Sequence, residues 1–353
     1  MKILVVSNMF PDRKHPSYGV FVKNYCEQLD KLKIEYDLAV MKKADSLIGK
    51  VKNYILFYMT SFFKALFGKY DIIYIHYASH SSAAILLANR IRSLRIFTNV
   101  HGSDVIPENK KQEKMQHYTS DILKQSERVI VPSEYFKFVV DQKYKIDENK
   151  VFVSPSGGVD ESVFYDNGKH KVTDTLKIGY VGRISYKKGW DVLIKACSKL
   201  NFDYKLLVVG DGPDKEKMAA LAKQFGVDGH IEWSGFLSQN ELREVYNQMD
   251  VFVFPTEREG ESLGLVAVEA MACGTPVIAS DYAAPGRYIV DNYNGFKFGV
   301  GNDSELSDKL KSFYLLTEDE KKILIVGAKE TAKTFSKDVA LKNMNSILRS
   351  KDA

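Results

Sequence analysis

Cysteine is scarce. Cys26, Cys197 and Cys273 stand far apart and in odd number, so the chain encodes neither a disulfide framework nor a cysteine metal cluster. Reduced thiols in a cytoplasmic protein are the simplest reading. Long apolar runs are also missing. The most hydrophobic stretch, Tyr54 to Phe63, falls well short of the roughly 20 residues that a bilayer span requires. The opening run Ile3–Val6 stops at a turn and lacks the apolar core and cleavage site of a secretory signal, so it reads as a buried strand. No Asp-x-Asp occurs, and no strand is followed by G-x-G-x-x-G, which argues against a dehydrogenase. Neither charge sign dominates: 50 Lys+Arg face 45 Asp+Glu. Yet 24 of those bases and 19 of those acids fall at or before Asp166, so the N-terminal half carries the entire +5. That asymmetry points to an anionic partner there.

What is present is alternation. With 353 residues and 45% hydrophobic content, the chain can fill two cores and is not disordered. Short apolar runs at Ile3–Ser7, Tyr36–Met41, Ile72–His76, Ile96–His101, Arg128–Val131 and Lys150–Ser154 are separated by amphipathic stretches such as Phe21–Lys33 and Ser81–Arg92. A second series follows, at Ile178–Val181, Lys205–Val209, His230–Trp233, Val251–Phe254 and Pro276–Ala279. This βαβα pattern predicts two doubly wound α/β domains with parallel sheets, residues 1–165 and 175–335. The polar stretch Tyr165–Asp174 reads as the linker, and a helix from Ser336 onward is expected to pack back on the first domain.

One segment departs from the pattern. Lys50–Lys69 is rich in aromatic residues and is flanked by Lys42, Lys43, Lys50, Lys52, Lys64 and Lys69. It predicts a helix lying on an anionic membrane face, with lysines at lipid phosphates and rings in the interface. The plainer alternative is a core helix with solvated ends.

Two clusters carry the chemistry. In the first, Val251–Phe254 runs into Glu257–Gly264 and a helix that opens near Ser262. Backbone N–H groups at a helix start, with Gly264 allowing close approach, suit a diphosphate. A carboxylate beside phosphate is costly, so Glu261, and Glu269 two turns later, are assigned to sugar and ribose hydroxyls. Taken alone, each favours the plainer reading, Glu261 as a partner of the helix dipole and Glu269 as a solvated helix residue. In the second cluster, a strand ends at Gly182 and Arg183 and Lys188 follow on the loop. Two cations there can neutralise a diphosphate leaving group.

Together these stretches resemble the retaining glycosyltransferases of family 4 (glycosyl transferases group 1), which have the GT-B fold. The resemblance rests on Glu261…Glu269 at E-x7-E spacing, Gly182-Arg183…Lys188-Gly189, Val209-Gly-Asp-Gly-Pro213, Gly235-Phe236 and Ala272-Cys-Gly-Thr-Pro-Val277. His101-Gly-Ser-Asp104, Val131-Pro-Ser-Glu134 and Ser154-Pro-Ser-Gly-Gly-Val-Asp160 add landmarks in family order, covering about residues 1 to 300. It implies two Rossmann-like domains facing a cleft, the first for the acceptor and the second for a nucleotide sugar. Glu261 would hold a donor-sugar hydroxyl and Glu269 the ribose. Arg183 and Lys188 would bind the diphosphate with Ser262 and the N–H groups of Leu263, Gly264 and Leu265. His101 would sit near the reacting carbon, with Tyr18, His76 and Asp104 on the acceptor side. Gly19 matches a glycine loop that approaches the phosphates, although many members carry two glycines where this chain has Tyr18-Gly19.

The implied reaction is front-face substitution with retention, needing no metal or other cofactor. The expected donor is a UDP-sugar, with GDP-sugar as the alternative. The expected acceptor is a lipid-linked saccharide in surface polysaccharide assembly at the inner face of the membrane. A GT-B epimerase, a soluble disaccharide-forming transferase and a non-catalytic nucleotide-sugar-binding subunit are the competing readings. No nucleic-acid-binding module is present. His76 and His80 have the spacing of a zinc helix but lack a third ligand.

Overall fold

The computed structural model describes residues 1–16, 18–155, 157–168 and 175–350. The chain divides into two compact units, Met1–Gly157 joined by the segment from Ala340 onward, and Gly158–Val339.

The first unit is built on six parallel strands: β1 (Lys2–Phe10), β2 (Glu35–Lys42), β3 (Ile72–His76), β4 (Ile96–Asn99), β5 (Arg128–Val131) and β6 (Val151–Val153). Their order is β2-β1-β3-β4-β5-β6. The second unit carries β7 (Leu176–Val181), β8 (Tyr204–Val209), β9 (Ile231–Ser234), β10 (Val251–Phe254), β11 (Val277–Ser280) and β12 (Gly295–Phe298), in the order β12-β11-β10-β7-β8-β9. The two sheets are therefore wound differently. The second has the Rossmann order, whereas the first has the flavodoxin-like order with an added strand. Strand order reverses between β1 and β3 in one sheet and between β7 and β10 in the other, and such reversals open the crevices where open α/β sheets bind ligands.

Both sheets are buried on two faces, which explains their near-continuous apolar strands. Leu4, Val6, Ile73 and Ile75 pack on one side of the first sheet, and Ile3, Val5, Ile72 and Tyr74 on the other. The edge strand β9 is the exception, with Glu232 and Trp233 exposed. β12 was not expected from sequence. It is four residues long and begins at Gly295, where a Cβ would lie 1.8 Å from the Val277 carbonyl oxygen. That close approach demands glycine and breaks the apolar run.

The unit boundary comes earlier than the polar stretch where the sequence places it. Val159 bridges to Ser336, Phe164 is buried in the second core, and Asp166 pairs with Lys329 at 2.8 Å. The remainder of that stretch, 169–174, lies outside the described residues. Helix Lys337–Arg349 closes the first unit by burying Met344, Ile347 and Leu348 against Ile3, Val5 and Val22. The Arg128 guanidinium, 4% exposed, donates to the carbonyls of Ile347 and Ser350 at that helix's end. A cation there meets the carbonyls that have no helical partner.

Candidate active site

Two of the donor-side segments expected from sequence, the Lys188 loop and the stretch leading to Glu261, meet at the β7/β10 reversal. The loop leaving β7 is held against the exit of β10. Gly189 adopts φ 70°, and a Cβ on it would lie 1.8 Å from the Pro255 carbonyl oxygen. The Glu257 N–H donates to the Lys187 carbonyl at 2.9 Å. This clamp brings Lys188 Nζ to 2.6 Å from Glu261 Oε2, with the two side chains 16% and 12% exposed. Thr256 Oγ1 donates to the same carboxylate oxygen at 3.5 Å, and Arg258 lies 3.8 Å from it. The Phe254 ring lies 5.6 Å from the Lys188 ammonium. An ion pair this shielded from water holds both charges in fixed directions, and removing either partner strands the other.

The following helix is Leu265–Ala272, starting three residues later than expected. Gly264 caps it at φ 77°, a conformation in which a side chain is strained, and a Cβ there would meet the Phe254 ring at 2.8 Å. The first N–H to bond back is that of Ala267, to the Gly264 carbonyl at 2.9 Å. The N–H groups of Leu263, Gly264 and Leu265 precede it, which leaves a positive helix start beside Glu261. Ser262 lies directly before them. Glu269 is not a solvated helix residue. Burial holds its carboxyl up at about 7, and Tyr246 donates to it at 3.1 Å.

Arg183 is exposed at the rim of a cavity of about 670 Å³, lined by Gly182, Gly210, Gly212, Gly235 and Phe236 among others. That volume lies within the roughly 300–1,000 Å³ of small-molecule sites. Gly210 and Gly212 bring backbone against backbone, since a Cβ on either would lie 2.1 Å from the carbonyl oxygen of Gly182 or Ile184. The motifs at Val209–Pro213 and Gly235-Phe236 marked these segments in sequence, but not that they enclose one space. Tyr246, Thr256 and Arg258 were missed altogether. Thr256 and Arg258 lie on the β10 exit loop five and three residues before Glu261, a local spacing that could have marked them, whereas Tyr246 comes from the separate helix Gln239–Tyr246.

The first unit treats its predicted residues differently. His76 ends β3 and is 1% exposed, and its Nδ1 lies 3.0 Å from His101 Nε2. Burial lowers the His76 ring well below its ordinary pKa and pushes His101 down to about 3, so both are neutral. Asp104 is fully buried. Its carboxylate accepts the backbone N–H of Ala78 at 2.9 Å, of His101 at 3.0 Å and of Gly102 at 2.9 Å. It staples the 101–104 loop to the start of the short helix Ala78–Ser81 that follows β3, and presents no surface to an acceptor. His76 is likewise screened from solvent. Tyr18 donates to the Asn8 carbonyl at 3.2 Å, and burial raises its hydroxyl to about 12. Gly19 caps helix Val20–Lys31 at φ 76°, where a Cβ would lie 2.6 Å from the Met9 carbonyl carbon, so chain crowding by itself requires glycine there.

The basic, aromatic segment forms helix Leu47–Phe67. Most of its rings face inward. Phe57 is buried, Tyr54, Tyr58 and Phe62 pack on the core, and Tyr58 donates to the His80 carbonyl at 3.2 Å. The outward face is mainly aliphatic, with Ile48 84%, Val51 54%, Ile55 53%, Met59 51%, Phe63 49% and Phe67 72% exposed. Lys64 folds back to donate to the Leu38 carbonyl at 3.1 Å, while Lys42, Lys43, Lys50, Lys52 and Lys69 are exposed. Among the described residues, no helix is long and apolar enough to cross a membrane.

Comparison with known proteins agrees with this geometry. Residues 164–337 match the family described as Glycosyl transferases group 1, and residues 19–162 match Glycosyltransferase Family 4. An uncharacterised glycosyltransferase of Methanocaldococcus jannaschii is 31% identical over 267 residues, covering 75% of this chain and 71% of the relative. The chain belongs to glycosyltransferase family 4, and it is a glycosyltransferase.

Among solved structures, sucrose-phosphate synthase from Thermosynechococcus elongatus matches at TM-score 0.81, with 18% identity, covering 99% of this chain and 98% of that one. Anabaena HepE in complex with UDP and glucose matches at 0.75, with 16% identity and 99% and 100% coverage. The lipopolysaccharide outer core galactosyltransferase WaaB matches at 0.74, with 17% identity and 99% coverage of each chain. These likenesses establish the GT-B fold.

Proposed function

We propose that this glycosyltransferase moves a sugar from a UDP-sugar to a lipid-linked saccharide with retention of anomeric configuration. The observation that carries the donor half is the shielded Lys188–Glu261 pair beside the Gly264 helix start at the β7/β10 reversal. Lys188, Arg183 and the N–H groups of Leu263, Gly264 and Leu265 receive the diphosphate and stabilise the charge that builds on it as the glycosidic bond breaks. Glu261 orients a sugar hydroxyl, Glu269 the ribose, and the departing phosphate oxygen takes the acceptor proton. These groups supply the positive charge that the leaving diphosphate needs, so the reaction runs without a divalent metal. UDP is favoured over GDP because the HepE structure was solved with UDP.

The acceptor half is carried by the aliphatic stripe of helix Leu47–Phe67 and its flanking lysines, which suit an anionic lipid surface. We place the enzyme peripherally on the inner face of the cell membrane, in surface polysaccharide assembly, with the first unit handling the acceptor. The WaaB likeness supports the saccharide class.

A thermal-shift panel of UDP, GDP and their sugar conjugates in EDTA tests the donor. A shift with UDP supports the reading. A shift with GDP alone replaces the base, and no shift with any nucleotide removes the donor assignment.

A further inference from the structure

Behind His101 lies a set of polar groups that the reaction above does not use. His76 Nδ1 faces His101 Nε2 at 3.0 Å, with the rings 5.2 Å apart. Phe21 covers His101 at 4.1 Å between centroids, and Tyr25 stands edge-on to His76 at 4.7 Å. Tyr25 stacks on Tyr74 at 4.2 Å between ring centroids. Asn99 Nδ2 donates to the Tyr74 hydroxyl at 3.2 Å. Two buried atoms in this set have no hydrogen-bond partner among the described residues, Tyr25 OH and His76 Nε2. Both residues line one cavity of about 30 Å³.

A hydrogen bond between two neutral imidazoles has only two arrangements, because each ring carries one N–H and one lone pair. If His101 Nε2–H donates, His76 must carry its own proton on the buried Nε2, where no described group accepts it. If His76 Nδ1–H donates instead, Nε2 is left with only an unfilled lone pair and no orphaned N–H. Unmade donors in a buried site are costly, so the second arrangement is favoured.

We propose that His76 is a positioning residue that fixes His101 as a neutral donor, with its one proton on Nδ1. Nδ1 makes no hydrogen bond to another described residue and is the atom left to meet a ligand. His101 therefore offers substrate an N–H and does not act as a base. Its partner is an oxygen of the donor or acceptor that gathers negative charge. This inference rests on the proposed placement of His101 near the reacting carbon, but its first test does not.

The test is a two-bond proton–nitrogen spectrum of the full chain labelled with ¹⁵N-histidine at neutral pH, assigned with His76→Asn and His101→Asn. The expected result is the Nδ1–H form for both rings, the less populated tautomer of free imidazole. Nε2–H forms on both rings overturn the proposal. Activity with UDP-glucose gives the second readout. Asn places an amide where His76 Nδ1 stands, whereas Leu fills the space without a donor. His76→Leu is expected to lower turnover on the order of 10- to 100-fold, the range seen for partners that orient functional imidazoles, with the donor KM unchanged. His76→Asn should restore most of it. A His76→Leu enzyme that turns over like the wild type overturns the positioning role. Wild-type turnover in His101→Asn, with Nδ1–H tautomers still observed, would instead remove His101 from the reaction while leaving the tautomer assignment standing.

Discussion

The two units each reverse their strand order beside their first strand, but they furnish that reversal in opposite ways. The second sets a cation against a carboxylate, Lys188 and Glu261, at 2.6 Å and leaves both partly accessible. The first sets two neutral imidazoles 3.0 Å apart under Phe21, Tyr25 and Tyr74, with no formal charge on the pair. A diphosphate calls for fixed positive charge and pays part of the cost of parting Lys188 from Glu261. A sugar hydroxyl carries no charge and calls for oriented donors and acceptors in a site that stays neutral across physiological pH. The contrast follows the chemistry of what each unit is proposed to hold.

The sharpest way to break the contrast is to neutralise the charged pair. Glu261→Gln and Lys188→Met should each lower transfer on the order of 10²- to 10³-fold, as for other preorganised charge stabilisers, while circular dichroism stays native. Near-normal turnover in either variant would take that residue out of the site. Arg183→Ala comes next. It is solvent-exposed and shares the diphosphate with Lys188, so a loss nearer 10²-fold is expected, read as kcat/KM with EDTA present.

The membrane surface adds a smaller term. Replacing Ile55 and Met59 with Ser should weaken binding to phosphatidylglycerol vesicles about tenfold or more by removing apolar area, without shifting the melting temperature. Unchanged sedimentation with vesicles would return the stripe to some other use. Smallest is the pH effect at Glu269, whose carboxyl is held up at about 7 from an ordinary 4.5. A raised carboxyl favours the folded state only while it keeps its proton. The contribution is whole below about 4.5 and is lost as pH rises through about 7, so wild type should fall in stability relative to Glu269→Gln across that window. Ribose hydroxyls prefer the ionised form, so UDP affinity should rise several-fold over the same window, with proton release visible by calorimetry in two buffers. A flat profile would detach Glu269 from the ribose.

Much of the fold is legible in the sequence. Eleven strands follow from apolar runs bounded by turns, because a doubly covered parallel strand leaves that signature. β12 does not, since Gly295 and Lys297 interrupt it and its place depends on contact with β11. Glu261 and Gly264 are readable because they sit on one loop–helix junction, and Lys188 because it follows Gly182-Arg183 on the loop that leaves a predicted strand. The roles of Asp104 and His76 are not. Whether a carboxylate faces a ligand or three backbone N–H groups depends on how loops fold back, and composition is silent about that. Helix Leu47–Phe67 misled in detail for a related reason. Its aromatics outnumber one buried stripe, yet the neighbouring helix Ala83–Ile91 and β2 give most of them cover, leaving aliphatics outside.

The helix Lys337–Arg349, locked by Arg128, reverses the usual order of biosynthesis. A ribosome makes six strands of the first unit and then the whole of the second before it delivers Met344, Ile347 and Leu348. The second unit is one continuous segment and can finish folding during synthesis, whereas the unit begun first is the last to be sealed. Until then one apolar face of its sheet, Ile3, Val5 and Ile72 included, lacks part of its cover. Chaperone demand and aggregation during expression should therefore track the length of that wait, and slowing elongation within the second unit should raise both.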